Sequence, residues 1–169
     1  MDRMVFVQQL QAWTKGEISQ GKWMLAISLL LVPVVISLFR GSGGLSRGML
    51  IPVCLLLAVN LGYGGYLVST RASRADKMAE WFEKQGEQVI TQEYEKAKAD
   101  NSTYIILRSI WAVMAGICAL LSVFLIREYP RGLCLGFVVL FAGLLVIDTF
   151  LHNRVIHLLD GLRQVLPQI

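Results

Sequence analysis

Charge is scarce in this chain. Only 17% of its 169 residues are Asp, Glu, Lys or Arg, against 55% apolar, and the mean hydropathy is clearly positive. Soluble domains carry closer to about a quarter charged residues. Too little polar surface remains to cover a water-exposed core, which argues against an ordinary soluble fold. Histidine is rarer still, at two. Neither lies deep in an apolar run, so haem held between helices is disfavoured. The cysteines, Cys54, Cys118 and Cys134, are odd in number, sit inside apolar runs and show no C-x-x-C spacing. They read as small buried hydrophobes. Catalytic patterns are missing too: no H-E-x-x-H, no serine–lysine or serine–histidine constellation, no P-loop and no dinucleotide fingerprint. No cofactor and no enzymatic activity are therefore expected. The net charge of +4 comes without a basic stripe interleaved with aromatics, so nucleic acid is not an expected partner.

What the chain does have is four long uncharged runs. They extend from Trp23 to Phe39, Met49 to Ser69, Ser109 to Ile126 and Leu133 to Ile147, the last extendable through Asp148 to Leu151, and each is bracketed by Arg or Lys. A helix needs roughly 20 apolar residues, and at least about 17, to cross a ~30 Å hydrocarbon core. The sequence thus predicts an all-α integral membrane protein with four transmembrane helices in two antiparallel hairpins and a cytoplasmic helical layer. Its segments are an N-terminal amphipathic helix (1–22), a first hairpin (23–69), a helical insert (70–103), a second hairpin (104–151) and an amphipathic tail (152–169).

In the N-terminal segment Phe6, Leu10 and Trp13 share one helical face. A cleaved signal is the competing reading, but GSGGLSRG follows the first run without a small-residue cleavage site. Pro33 bends span one, and Pro52 falls in the first turn of span two, where its missing N–H costs little. Asn60 lies mid-span as interhelical glue. Ala58 with Gly62, and Ala112 with Gly116, give small-xxx-small spacing, with Gly65 nearby. Spans two and three are expected to pack through these faces, or to use them across a homo-oligomer.

The insert cannot be a straight continuation of span two. Its tip would stand about 45 Å off the membrane, and residues 101–103 could return the chain by only roughly 10 Å. Gly86 is the natural break, giving a helical hairpin or, as runner-up, a helix lying in the interface. Asn101, Ser102 and Thr103 are expected to cap the helix that follows. Basic residues set the orientation. Arg3, Lys15, Lys22, Arg71, Arg74, Lys77, Lys84, Lys96, Lys98, Arg108, Arg154 and Arg163 fall on the side of the termini and insert, and only Arg40, Arg47, Arg127 and Arg131 on the side of the two tight turns. Both termini are therefore expected in the cytoplasm, in a bacterium beneath the inner membrane.

Asp148 is the most unusual ionisable group, since a carboxylate near the apolar zone needs a partner. Arg108 arrives at similar depth and is the expected one, with His152 one turn on as the alternative. With little outside the membrane and no chemistry within it, the expected function is contact: an accessory subunit of a membrane complex, or an immunity-type partner of a toxin acting at the membrane. Trp13, Trp81, Phe82 and Tyr94 are the candidate anchors on the cytoplasmic face. The alternative is a small oligomeric ion or proton-coupled transporter lined by Asn60 and Asp148. Lipid and another membrane protein, or a toxin, are the expected partners.

Overall fold

A computed structural model describes residues 3–85 and 87–165, with side chains described except at 3–10, 72, 74–76, 78, 79, 81–85, 87, 89, 164 and 165. Four α-helices make up this chain: α1 (Arg3–Arg40), α2 (Gly44–Gln85), α3 (Glu87–Phe124) and α4 (Glu128–Val165). All four are long and apolar enough to cross a membrane. The expected break at Gly86 lies outside the described residues, with α2 ending at Gln85 and α3 beginning at Glu87.

The helices run unbroken through the segment boundaries drawn from the sequence. No helix end falls near residue 22, 103 or 151. The hydroxyls of Ser102 and Thr103 turn back onto the Ala99 carbonyl, at 2.8 and 3.0 Å, instead of capping a new helix. Pro52 also differs from expectation. It lies inside α2, two turns past the start, and leaves the Gly48 carbonyl without its helical donor. Its ring is fully buried, packed where α4 presents Gly136.

Packing follows a simple scheme. α1 packs along α2, α3 packs along α4, and α2 packs against α4, while α1 and α3 do not touch among the described residues. The α2–α4 contact is lined by glycine. Gly44 sits beside Glu128 and Tyr129, Gly48 beside Gly132 and Leu133, Gly136 beside Met49 and Pro52, and Gly143 beside Leu56. Residue numbers rise together along this seam, so the two helices run the same way. A Cβ on Gly48 would fall 2.6 Å from the Leu133 nitrogen, and one on Gly132 would collide with the Leu45 carbonyl. Only the absence of a side chain lets the backbones come this close.

A second regularity emerges from this seam. α2 and α4 meet at a constant sequence offset, Gly44 lying beside Glu128 and Gly48 beside Gly132, each 84 residues on. Each half is a packed helix pair, α1 on α2 and α3 on α4, and the halves meet through α2 and α4. The connections at 41–43 and 125–127 share one end of the molecule, called here the turn end. The described starts of α1 and α3 and the described ends of α2 and α4 lie toward the other end, called the polar end.

The small-residue faces expected to pack α2 on α3 are not used that way. Nothing comes within 4 Å of where a Cβ would stand on Gly62, Gly65 or Gly116, and Ala112 is exposed. Spacing alone does not separate these stripes from the seam glycines. What distinguishes the seam is that Gly44-x3-Gly48 and Gly132-x3-Gly136 lie in the first turns of α2 and α4, offset by one turn, so that Gly48 meets Gly132.

Candidate functional site

The inward stripe of α1 is polar. Thr14, Glu17, Gln20, Gly21, Met24 and Ser28 follow helical spacing and are all buried, while Trp23, Leu29, Leu30 and Phe39 point outward. Gly21 admits α2 closely, since a Cβ there would meet the Gly64 carbonyl oxygen at 2.8 Å. This close crossing draws the polar stripe against α2 and buries Glu17 to 4% exposure. A carboxylate so placed needs a cation, and Arg71 of α2 supplies it, with Nε 2.8 Å from Glu17 Oε2. The guanidinium also lies over two rings: Trp13, one turn before Glu17, at 5.4 Å, and Tyr66 at 5.8 Å. Tyr63 stacks on Tyr66 at 6.3 Å. Planar Arg can meet a carboxylate and two aromatic faces at once, which a lysine ammonium cannot.

Around this pair the four helices enclose a small cavity of ≈ 90 Å³. Trp13 and Glu17 come from α1 and Arg71 from α2; Lys96, Asp100 and Tyr104 come from α3, and Leu151, Arg154 and Leu158 from α4. Arg154 reaches across to α1, its Nε lying 3.4 Å from where a Cβ would stand on Gly16. Ile90, Ala97, Val155 and Leu162 are buried in this half of the molecule. The cavity therefore has a firm apolar floor, a buried charge pair and a rim where Lys96 and Asp100 are exposed.

Deeper along the bundle the polar side chains are satisfied locally. Asn60 is buried, and its Nδ2 donates to the Leu56 carbonyl of its own helix at 2.9 Å. Ser28 does the same toward Met24 at 2.9 Å. Asp148 accepts a hydrogen bond from the indole Nε1 of Trp111 at 2.7 Å. Trp111 is fixed by stacking on Phe141 at 5.8 Å, and Phe141 on Phe137 at 5.6 Å.

The residues singled out from sequence are thus distributed unevenly. Trp13 is in the charged cavity, and Tyr94 is half-buried on α3. The side chains of Trp81 and Phe82 lie outside the described residues. Arg108 does not bond Asp148, nor does His152: the Nε of Arg108 and the Nδ1 of His152 are buried without a hydrogen-bond partner. The physical reason is that Trp111, three residues beyond Arg108, carries a neutral donor that satisfies the carboxylate without burying a second charge. Asn60 and Asp148 do not line the charged cavity. Sequence reasoning missed Glu17, Arg71 and Arg154, the residues that organise the site. The available signal was Thr14, Glu17, Gln20 and Ser28 at helical spacing, a polar stripe entering the first apolar run. Among the described residues no three His, Cys, Asp or Glu side chains come together as a metal site. Set against known protein families, curated proteins and solved structures, the chain matches none.

Proposed function

We propose that this chain crosses a bacterial inner membrane four times, as two antiparallel hairpins with both termini in the cytoplasm, and acts without catalysis by binding another protein. That partner is either a larger membrane complex, to which the chain is an accessory subunit, or a toxin acting at the membrane, to which it confers immunity. Three features support insertion. The burial pattern is reversed from that of a soluble protein, with Glu17, Gln20, Ser28 and Asn60 inside and Trp23, Leu29, Leu30 and Phe39 outside. Helices of 38 residues or more are about 57 Å long and exceed a ~30 Å core by about 25 Å. Only four of the sixteen basic residues, Arg40, Arg47, Arg127 and Arg131, lie in or beside the tight connections, which favours the excess length on the cytoplasmic side.

The observation that carries the contact reading is the division of polar groups. Deeper in the bundle, Ser28 and Asn60 bond within their own helices and Asp148 bonds Trp111 of the neighbouring helix. The groups at the polar end draw on all four helices and leave Lys96 and Asp100 exposed at the rim of a rigid charged cavity. Such a rim favours recognition of a partner carrying both charges.

Cysteine labelling on intact cells tests the topology: a probe at Ser42 should react from outside and one at Lys98 should not. A photo-crosslinker at Lys96 tests the function. Capture of one discrete protein at Lys96, absent when the probe sits at Leu29, supports the reading. Flux through reconstituted vesicles that Asp148→Asn abolishes would replace it with a transporter.

A further inference from the structure

Between α1 and α4, past the Glu17–Arg71 pair, lies a groove of ≈ 390 Å³ lined by Ser19, Gln20, Trp23, Ile27, Phe150 and Arg154. Its chemistry is graded. Ser19 and Arg154 stand at one end, and Trp23, Phe150 and Ile27 continue toward the turn end. From Ser19 to Ile27 the α1 wall runs about two turns, or about 12 Å. It then merges with the apolar exterior at Leu29 and Leu30, both exposed.

Two buried atoms of the groove's lining residues have no hydrogen-bond partner: Nη1 of Arg154 and Oε1 of Gln20. Gln20 is more than nine-tenths buried, and its Nε2 already donates to the Ile147 carbonyl at 3.4 Å. A guanidinium nitrogen left without an acceptor is costly. The Glu17 carboxylate lies in its field, but that acid is held by Arg71 at 2.8 Å. Trp23 is 69% exposed where polar wall gives way to apolar, the setting of an indole at headgroup level.

The geometry points to this groove as the seat of one phospholipid with an anionic headgroup, its phosphate held by Arg154 beside Ser19, and an acyl chain laid along Trp23, Ile27 and Phe150. The inference rests on the membrane-spanning reading above. A free phosphate would leave the apolar length of the groove empty. A helix from another protein would meet Trp23, the bulkiest side chain of the α1 wall, where close helix contacts use small residues.

Native mass spectrometry of the full chain in detergent tests this, with phosphatidylglycerol and phosphatidylcholine of matched acyl chains in equal amounts. The native protein should retain one phosphatidylglycerol about tenfold over phosphatidylcholine, because both carry the phosphate but only phosphatidylcholine adds a quaternary ammonium that the Arg154 guanidinium repels. Millimolar inorganic phosphate should not displace it. Arg154→Gln should remove the preference, and Arg127→Gln, at the turn end, should keep it. Phe150→Ala should weaken retention of both lipids alike. Equal retention of the two lipids by the native protein, or displacement by phosphate, overturns the proposal without reference to any variant. Carbonate washing of membranes separates the two readings: a protein that washes off was never inserted, whereas one that stays but shows no lipid preference loses only this site.

Discussion

The carboxylate of Glu128, in the first turn of α4, accepts the backbone N–H of Gly44, the first residue of α2, at 3.1 Å. One acid thereby serves two helix N-termini. It satisfies an amide that no helical carbonyl can reach, and it places negative charge near the positive ends of two parallel dipoles. The same contact fixes the register in which the glycine seam closes.

Removing that acid should loosen the turn end. Glu128→Ala is expected to cost about 0.5–1 kcal/mol, the range for an exposed cap and dipole contact, and Glu128→Gln less, because an amide oxygen still accepts. The thermal midpoint in detergent reads this out. Equal midpoints for all three proteins would show that the contact does not contribute.

Glycines of this chain should divide into two classes under substitution. Gly132→Val adds bulk where even a Cβ meets the Leu45 carbonyl, so α2 and α4 must separate. The expected loss is more than about 3 kcal/mol, at the upper end for overpacking. Gly116→Ala meets nothing within 4 Å and gains helix propensity, so it should be neutral or stabilising by up to about 1 kcal/mol. A large loss at Gly116 would mean that another chain covers that face, and chemical crosslinking would then show a dimer.

Glu17 and Arg71 should behave as a unit. With side-chain exposures of 5% and 12%, removing either partner strands a buried charge. Arg71→Met alone is expected to cost about 3–5 kcal/mol, while Glu17→Gln with Arg71→Met should cost less than the sum of the single changes. Arg71→Lys should restore only part of the loss, since lysine keeps the charge but not the planar stack on Trp13 and Tyr66. Additive single and double changes would show that the pair is not coupled.

The four helices were legible in the sequence because long uncharged runs bracketed by Arg and Lys leave few other folds. The helix ends near Gly41 and Glu128 were legible for the same reason. The partners were not. Helical spacing shows that Gly62 and Gly116 are small, but whether a small face meets another helix depends on which pairs close first. Here glycines at the starts of α2 and α4 bring those two helices together. Depth along the helices points to Arg108 for Asp148 and helical spacing to His152, but neither identifies the indole N–H of Trp111, which serves the carboxylate equally well. Glu17 was passed over since it lies before the apolar run, and its burial follows from the Gly21–Gly64 crossing, a contact between segments far apart in sequence.

Trp111 and Asp148 separate a structural carboxylate from a transporting one. If the acid exists to tie α3 to α4, its charge is incidental: Asp148→Asn keeps an oxygen that accepts from the indole at 2.7 Å and should leave stability nearly unchanged. Trp111→Phe keeps the stack on Phe141 but removes the donor, leaving a half-buried carboxylate unsatisfied, and should cost about 1–3 kcal/mol. Combining the two changes should recover part of that loss, because an amide is cheaper to leave without a donor than a carboxylate. A proton-coupled carrier allows the same stabilities but adds a flux that Asp148→Asn abolishes and Trp111→Phe retains. Unfolding midpoints of the three variants, measured beside proton uptake in vesicles, decide between the two roles.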